Sequence, residues 1–319
     1  MQDYAEDQAA FASRRQRAHT EIQSDPSIVI PDRFGDMVED YASNFAARAF
    51  DPTHKAPPFL FIAGDKGVGK STMAYEALAR IGVDPWVFPV SSLAGRHEGD
   101  STRPLESAYY EMGRGPRAPG EPPNAIIFDD FDRSIGVYGT DMTATTNTPA
   151  LQACLMKIAD DPHHITITGN DGTAKTFDVH PTMMIFTVNN AELLYPPLRR
   201  HVRSMIYNWV PGLEDKAVML EGIFSGLSDK SRRKLVEAYP SQSIAFFQAV
   251  LNHMTKKAQS DFRAQRRGDK SYLFDPRFLQ HLVELTSHLK HTAGLPQIKK
   301  AADELLEQSR IQNHLSEEV

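Results

Sequence analysis

A glycine-rich turn between an apolar run and a helical pattern constrains this chain more than any other feature. The run "FIAGDKGVGKSTMAYEAL" spans residues 61–78, and its turn fits the spacing G-x-x-x-x-G-K-[ST] with Gly64, Gly69, Lys70 and Ser71. Glycines let the backbone wrap with its N–H groups towards phosphate oxygens, and the following helix adds the positive end of its dipole. The sequence therefore predicts a phosphate-binding strand–turn–helix unit. Its predicted nucleotide-binding residues are Gly64, Asp65, Lys66, Gly67, Val68, Gly69, Lys70, Ser71 and Thr72.

A second apolar run supplies the acids that such a turn needs. In "AIIFDDFD", four apolar residues end in Asp129 and Asp130, at the carboxyl end of a predicted buried strand. Lys70 would reach the β- and γ-phosphates, while Ser71 and Asp129 would hold Mg²⁺. Asp130 would orient or deprotonate the attacking water. The predicted cofactors are therefore ATP and Mg²⁺.

Two further polar groups follow predicted strands. Asn189 ends the run "IFTVNN", where its side chain would hold the attacking water near the γ-phosphate. The segment "YPPLRRHVRSM" carries Arg199, Arg200 and Arg203. An arginine supplied to a neighbour's γ-phosphate stabilises transition-state charge, although arginines at this spacing are also typical of a solvated face.

The order of apolar runs predicts the fold class. Continuous apolar runs separated by helical patterns indicate an α/β fold with a five-stranded parallel sheet covered on both faces. The stretch at 165–179 alternates around Asn-Asp-Gly and predicts a hairpin. The predicted strands are "PFLFIAG" (58–64), "PWVFPVS" (85–91), "NAIIFDDF" (124–131), "TMMIFTVN" (182–189) and "SMIYNWV" (204–210).

Helical patterns flank this sheet region. Before it, apolar residues recur at three- and four-residue spacings at Phe34, Met37, Val38, Tyr41, Phe45 and Phe50. After Pro211 the strand patterns stop, and the chain is helical to about residue 308. The predicted organisation is a polar N-terminal arm (1–28), a nucleotide-binding α/β region (29–210) and a C-terminal helical lid (211–319).

Composition narrows the setting. The chain has 319 residues, of which 41% are hydrophobic and 24% charged, as in a soluble globular protein. No run approaches the roughly 18 apolar residues that span a bilayer, so no membrane insertion is expected. The single Cys154 and the polar N-terminus fit a cytoplasmic location. A net charge of −6 argues against a broad nucleic-acid surface but leaves open a local basic patch such as "RAQRR" (263–267). No Cys/His spacing matches a zinc site.

Together these features resemble the AAA+ ATPases, and within them the Rubisco activase branch. The resemblance runs from about residue 29 to residue 310, and "QSI-FF" and "LY-PL-R--R" separate this branch from generic members. The matching segments are "GDKGVGKS", "IGVDPWVFPVSSLAGRHEG", "FDDFD", "NTPALQACLMKIADDP", "TVNNAELLYPPLRRHVRS", "EDKAVMLEGIF" and "YPSQSIAFFQAV".

The resemblance implies a homo-oligomeric ring, most often a hexamer, with ATP bound between subunits. Arg200 and Arg203 match the arginine-finger positions, and Asn189 matches sensor 1. The segment "SLAGRHEG" (92–99), with Leu93, Arg96 and His97, matches the first pore loop. The segment "RSIGVYGTDMTATTN" (133–147), with Tyr138, matches the second. Such loops would pull on a partner protein as ATP turns over.

The chain departs from the family pattern at several positions. Asp130 stands where most AAA+ proteins have Glu, which predicts slow hydrolysis or use of Asp132 through water. The first pore loop lacks an aromatic residue, which favours gentle remodelling over complete unfolding. No second-sensor arginine is obvious in the lid, where Arg277 and His281 are the candidates. The N-terminal arm does not resemble the activase N-domain, so the protein substrate stays open.

Three functions remain in competition at this point. The first is an ATP-driven remodeller of a protein assembly, with Rubisco as one candidate. The second is a nucleotide-gated assembly or disassembly factor that releases its partner without processive pulling. The third is a nucleic-acid motor or loader, which the acidic net charge and the lack of a basic, aromatic pore segment disfavour.

Overall fold

The five predicted apolar runs form one parallel sheet. The structure is a computed structural model that describes residues 25, 27–51, 53–83, 85–88, 102–114, 123–133, 147–168, 173–264 and 275–317. Within those residues the strands are β1 (Phe59–Ala63), β2 (Pro85–Phe88), β3 (Ala125–Phe128), β4 (His164–Thr168), β5 (Ala174–Asp178), β6 (Met183–Val188) and β7 (Ser204–Asn208). The helices are α1 (Asp32–Phe50), α2 (Lys70–Arg80), α3 (Arg103–Gly113), α4 (Asn147–Asp160), α5 (Leu213–Ile223), α6 (Asp229–Ala238), α7 (Ile244–Ala264), α8 (Pro276–Thr292) and α9 (Leu295–Glu317).

The sheet order is β2–β3–β6–β1–β7, and every neighbouring pair is parallel. All residues of β1, β3 and β6 are buried, which explains why their sequences are apolar rather than alternating. The predicted α/β class with a five-stranded parallel sheet is confirmed. Because the strands are parallel, the residues that follow β1, β3 and β6 emerge at one edge of the sheet.

Aromatic side chains join the three central strands. The ring of Phe186 on β6 stacks on Phe61 of β1 with centroids 4.7 Å apart, and on Phe128 of β3 at the same distance of 4.7 Å. All three side chains are fully buried. Offset aromatic stacking adds to the area that these rings remove from water, so it holds the three strands in register.

The stretch predicted as a hairpin is the antiparallel pair β4–β5. His164 lies opposite Asp178, and its ring also contacts Asp161 just before β4, with Nδ1 2.9 Å from the carboxylate and Nε2 3.2 Å from Asp178. Two acids therefore flank one histidine at the base of the hairpin.

Helix α1 has the predicted buried face with one exception. Phe34, Met37, Val38, Tyr41 and Phe45 are each 5% exposed or less. Phe50 was predicted to belong to this face, but it is 91% exposed because it is the last residue of the helix. None of the described helices is both long enough and apolar enough to cross a membrane.

The described chain forms two compact units. The first contains Asp32–Lys66 and Lys70–Val210, and the second contains Pro211–Val319 together with Pro26–Pro31 and Gly67–Gly69. The second unit has its own helical core, which includes Leu220, Phe224, Phe247 and Ile298. In this unit the Gly67 oxygen accepts the backbone N–H of Ala245 at 2.9 Å. The three-part division predicted from the sequence stays a prediction.

Candidate active site

The phosphate loop connects β1 to α2 and needs its glycines for two different reasons. Gly67 and Gly69 have φ values of 74° and 86°, in the left-handed region that favours glycine. At Gly64 the reason is space, since a Cβ there would lie 2.3 Å from the backbone oxygen of Trp209. The Trp209 N–H in turn donates to the Ala63 oxygen at 2.6 Å. The chain after β7 therefore packs against the start of the loop.

Lys70 is the first residue of α2, and its side chain is held inside the loop. Its Nζ donates to the backbone oxygens of Gly64 at 2.6 Å and Asp65 at 2.9 Å. Burial lowers the pKa of Lys70, while the carboxylates of Asp130, Asp132, Asp129 and Asp65 oppose that shift. The ammonium group thus lies among acids at the carboxyl edge of the sheet, next to the loop that would wrap phosphate.

Ser71 and Asp129, the predicted Mg²⁺ ligands, are brought together. The Ser71 hydroxyl donates to Asp129 Oδ1, and the Thr187 hydroxyl donates to the same oxygen at 2.8 Å. Because the Ser71 hydroxyl points its hydrogen at Asp129, the lone pairs of its oxygen are available to a cation. A hydroxyl and a carboxylate are oxygen donors that suit Mg²⁺, which usually keeps waters and substrate phosphates as its other ligands. These two residues fit the ion that the loop implies.

Asp130 has an unusual backbone conformation. Its φ is 49°, the one positive value among the described non-glycine residues, and its N–H donates to Thr187 Oγ1 at 3.1 Å. Aspartate and asparagine enter this left-handed region more readily than longer side chains. The backbone therefore gives a physical reason for Asp at a position where most AAA+ proteins have Glu.

Asn189 follows β6 and is oriented by Asp132. The backbone N–H of Asn189 donates to Asp132 Oδ2 at 2.9 Å, and its Nδ2 donates to Oδ1 at 3.3 Å. The Asn189 Oδ1 is buried and has no hydrogen-bond partner in the described part of the chain. This oxygen is therefore available to accept a hydrogen bond from a water molecule. The contacts of Asp132 favour an orienting role for it over a role as the base.

The predicted finger residues differ in their surroundings. Arg203 is bound within its own chain, with Nε 2.7 Å and Nη2 2.8 Å from the carboxylate oxygens of Asp160, and Nη1 donating to the Pro197 oxygen at 3.1 Å. This bidentate contact lowers the pKa of Asp160. Arg200 is exposed, and its side chain makes no hydrogen bond or ion pair to any described residue. Arg199 ends the short 3₁₀ helix Pro196–Arg199 and is half-buried.

The remaining predicted site residues lie elsewhere or are not described. In the second unit, Arg277 is exposed in the first turn of α8, and the His281 ring packs on Phe262 at 4.5 Å. Thr72 and Lys66 are exposed, and Val68 is buried. The pore-loop residues Leu93, Arg96, His97 and Tyr138 lie outside the described residues.

Sequence reasoning missed two contributors to this site. Thr187 bonds both Asp129 and Asp130, and the only signal for it was a hydroxyl inside the apolar run "MMIFTV". Trp209 places its backbone against Gly64, and its ring packs on Phe34 at 5.1 Å and under Arg33 at 4.8 Å. No spacing pattern could have revealed these contacts.

Comparisons with known proteins agree with this geometry. The profile of the "ATPase family associated with various cellular activities (AAA)" matches residues 60–211. A "Ribulose bisphosphate carboxylase/oxygenase activase" of Anabaena sp. is 30% identical over 214 residues, which cover 66% of this chain and 50% of that protein. The chloroplastic activase of Vigna radiata is 30% identical over 205 residues, covering 62% of this chain and 45% of that protein. The chain therefore matches about half the length of these curated relatives.

A solved complex of HORMA, CdnC and Trip13 from E. coli MS115-1 contains a chain that aligns with 65% of this chain and 71% of its own length. The TM-score is 0.43 and the sequence identity is 16%.

Proposed function

Because residues 60–211 form an AAA ATPase domain of the Rubisco activase-like branch, we propose that the chain hydrolyses ATP and uses the energy to remodel a protein partner. The observation that carries this proposal is that the hydroxyls of Ser71 and Thr187 both donate to Asp129, whose charge acts on the buried Lys70. A P-loop lysine, a hydroxyl and a strand-end acid are the parts that phosphoryl transfer requires.

Each residue has a distinct role in the proposed reaction. Lys70 and the loop N–H groups bind the phosphates, and Ser71 and Asp129 would hold Mg²⁺, which when bound neutralises charge on the phosphate oxygens. The Asn189 Oδ1, which has no partner within the described residues, orients the attacking water. Asp130 takes the proton of that water.

The proposal includes a shared site in a homo-oligomeric ring, most often hexameric in this branch. The exposed Arg200 is free to act on a γ-phosphate bound by the neighbouring subunit, whereas Arg203 braces the same turn through Asp160. Helices of residues 211–319 serve as the lid, and Arg277 or His281 as the second sensor. The segments 92–99 and 133–147 contact the partner through the pore. A cytoplasmic setting belongs to the same proposal.

Rubisco is one candidate partner, because the similar proteins are activases of ribulose bisphosphate carboxylase/oxygenase. The alternative is a nucleotide-gated assembly factor that releases its partner without pulling. The first pore-loop segment, "SLAGRHEG" (92–99), lacks an aromatic residue, and this favours the alternative. Replacing Arg96 and His97 with Ala separates the two, since only pulling depends on the first pore loop.

The test of the reaction is ATP turnover in Lys70→Ala, with Lys175→Ala on the exposed strand β5 as the matched control. We expect Lys70→Ala to lose ATP binding and turnover and the control to keep both. Full turnover in Lys70→Ala would refute the proposed site.

The test of the partner is capture by Asp130→Asn, which should bind ATP without hydrolysing it. Recovery of Rubisco with the ATP-bound variant, and not with Lys70→Ala, supports the Rubisco proposal. Recovery of a different protein complex would indicate that the proposed ATPase acts on a partner other than Rubisco.

A further inference from the structure

Thr187 is a buried hydroxyl at the point where the Mg²⁺-binding and water-activating parts of the site meet. We propose that Thr187 is a positioning residue that fixes Asp129 and Asp130 together, so that cation binding and water activation depend on one side chain. This inference rests on the proposed ATPase function and assigns a role to a residue outside the phosphate loop and its acids.

Burial marks Thr187 as unusual in its strand. It is 0% exposed, and the other residues of β6 are Met183, Met184, Ile185, Phe186 and Val188. A hydroxyl in such surroundings is costly unless it is hydrogen-bonded. Among the described residues, the Thr187 hydroxyl contacts three groups of the site: Asp129 Oδ1 at 2.8 Å, the Asp130 N–H at 3.1 Å and Ser71 Oγ at 3.1 Å.

The Thr187 hydroxyl has one hydrogen to donate and two lone pairs to accept with, and this fixes the direction of its hydrogen bonds. Thr187 has one proton, which goes to Asp129 Oδ1, and lone pairs, one of which accepts the Asp130 N–H. The Ser71 hydroxyl donates its hydrogen bond to the same Asp129 oxygen. No hydrogen then lies between the Ser71 and Thr187 oxygens, which are 3.1 Å apart. Asp129 Oδ1 is thereby saturated by two donors. The carboxylate cannot rotate without losing both bonds, and the Ser71 lone pairs stay available to a cation.

The second contact controls Asp130. The bond from its N–H to Thr187 fixes the peptide that joins Asp129 to Asp130, in the conformation that gives Asp130 a φ of 49°. The direction in which both carboxylates leave the backbone depends on this peptide. Loss of the Thr187 hydroxyl would therefore loosen the metal ligand and the base at once.

The chain offers a matched control for the removal of a buried hydroxyl. Thr182 precedes β6, is 2% exposed, and its Oγ1 has no hydrogen-bond partner among the described residues. Thr182→Val removes a buried hydroxyl beside the same strand, but at its other end. Thr187→Val does the same with nearly unchanged side-chain shape, and Thr187→Ser keeps the hydroxyl.

The experiment measures three quantities on the full chain: apo melting temperature, binding of a fluorescent ATP analogue with EDTA or Mg²⁺, and turnover against Mg²⁺ concentration. In Thr187→Val we expect binding in EDTA to stay within about twofold, while the Mg²⁺ enhancement of binding is lost and kcat falls by about 10- to 100-fold, as for partners that orient metal ligands. Thr187→Ser, which keeps the hydroxyl, should restore the Mg²⁺ dependence and kcat despite a lower melting temperature from its lost buried methyl group. Thr182→Val should remain near wild type in all three.

Several outcomes overturn the inference. Thr187→Val with wild-type kcat and Mg²⁺ dependence refutes it, and so does an equal loss in Thr187→Val and Thr182→Val. If Thr187→Val does not fold, Thr187→Cys replaces it, because its S–H is only a weak hydrogen-bond donor. Thr187→Cys should need a higher Mg²⁺ concentration for turnover than the wild type, and wild-type Mg²⁺ dependence would refute the role. If the wild type does not hydrolyse ATP, the proposed function fails, while Mg²⁺-dependent binding still decides the role of Thr187.

Discussion

At the scale of single residues, Asp130 has both an unusual backbone conformation and a proposed role as the base. Its φ of 49° lies in the region that aspartate and asparagine tolerate best. The shorter acid at this position therefore need not be a weakened glutamate. The backbone and the side chain suit each other, and changing one without the other has a cost.

We predict that Asp130→Glu does not speed up hydrolysis. The longer side chain should lower the free energy of unfolding by about 1 kcal/mol through left-handed strain, and turnover should fall with it. Asp130→Asn should keep its stability and lose turnover. Urea unfolding and ATP turnover measure the two effects, and a Glu variant that is both stable and faster would contradict the prediction.

The residues of the site were predictable to the extent that they carry a local pattern. Lys70, Ser71 and Asp129 follow from spacing and from their place after apolar runs, and the structure brings them together. Thr187 and Trp209 were not predictable, because their roles depend on which strands become neighbours and on where the backbone passes. Arg200 and Arg203 look equivalent in sequence, and only the contact with Asp160 separates them.

At the scale of elements, the backbone after β7 restricts which residue can stand at position 64, where β1 meets the phosphate loop. A Cβ on Gly64 would lie 2.3 Å from the Trp209 oxygen, which is backbone and cannot move aside easily. At Gly82, which has a positive φ of 81°, no atom of a described residue other than its chain neighbours lies within 4 Å of such a Cβ.

Gly64→Ala should therefore destabilise the fold more than Gly82→Ala. We expect losses of about 3 kcal/mol from the overlap at Gly64 and about 1 kcal/mol from left-handed strain alone at Gly82. Denaturant titration of both variants gives the comparison. Equal losses would mean that the contact with Trp209 does not constrain the loop.

The base of the β4–β5 hairpin should respond to pH through His164. The hydrogen bond and charge of Asp161, followed by the charge of Asp178, raise the pKa of His164 above its ordinary 6.5. The histidine is exposed, so we expect a small effect. Its sign follows from a folded pKa above the unfolded one: the contribution is full below about pH 6.5 and is lost as pH rises through the folded pKa.

An NMR titration of the His164 ring tests this prediction directly. Asp161→Asn should return the pKa towards 6.5 and flatten the pH dependence of hairpin stability, whereas Asp178→Asn should have the smaller effect. A wild-type pKa at or below 6.5 would show that the acids do not act on the ring.

The fold class was predictable at this scale because each central strand is buried on both faces and so is apolar throughout. The strand order was not, because β1 pairs with β6 and β7, which lie far along the chain. The sequence pattern also did not predict where the buried face of a helix ends. Phe50 fits the apolar period of α1, but it is exposed because it is the last residue of the helix.

At the scale of the whole molecule, the exposed Arg200 leads to a prediction about mixed assemblies. Lys70→Ala and Arg200→Ala should each be inactive alone. In a ring with shared sites, a one-to-one mixture should recover roughly a quarter of wild-type turnover, because random neighbours place an intact Lys70 beside an intact Arg200 at that frequency.

The mixture is compared with the two single variants and with a mixture of Lys70→Ala and wild type. No recovery, together with normal assembly of each variant by light scattering, would argue that Arg200 does not act across a subunit boundary. Arg203→Ala should instead lower stability, because Arg203 is bound to Asp160 in its own chain.

The strand order also has a consequence for synthesis on the ribosome. Ala63 pairs with Val188 and Asn208, and among the described strands β1 has no partner nearer in the sequence. At typical translation rates, β1 therefore waits about 6–25 s while roughly 125 further residues are made. During that interval a nascent chain presents Phe59–Ala63, an entirely apolar strand, without its sheet. Chaperone demand should peak in that window, and chains that stop before β6 should aggregate rather than fold.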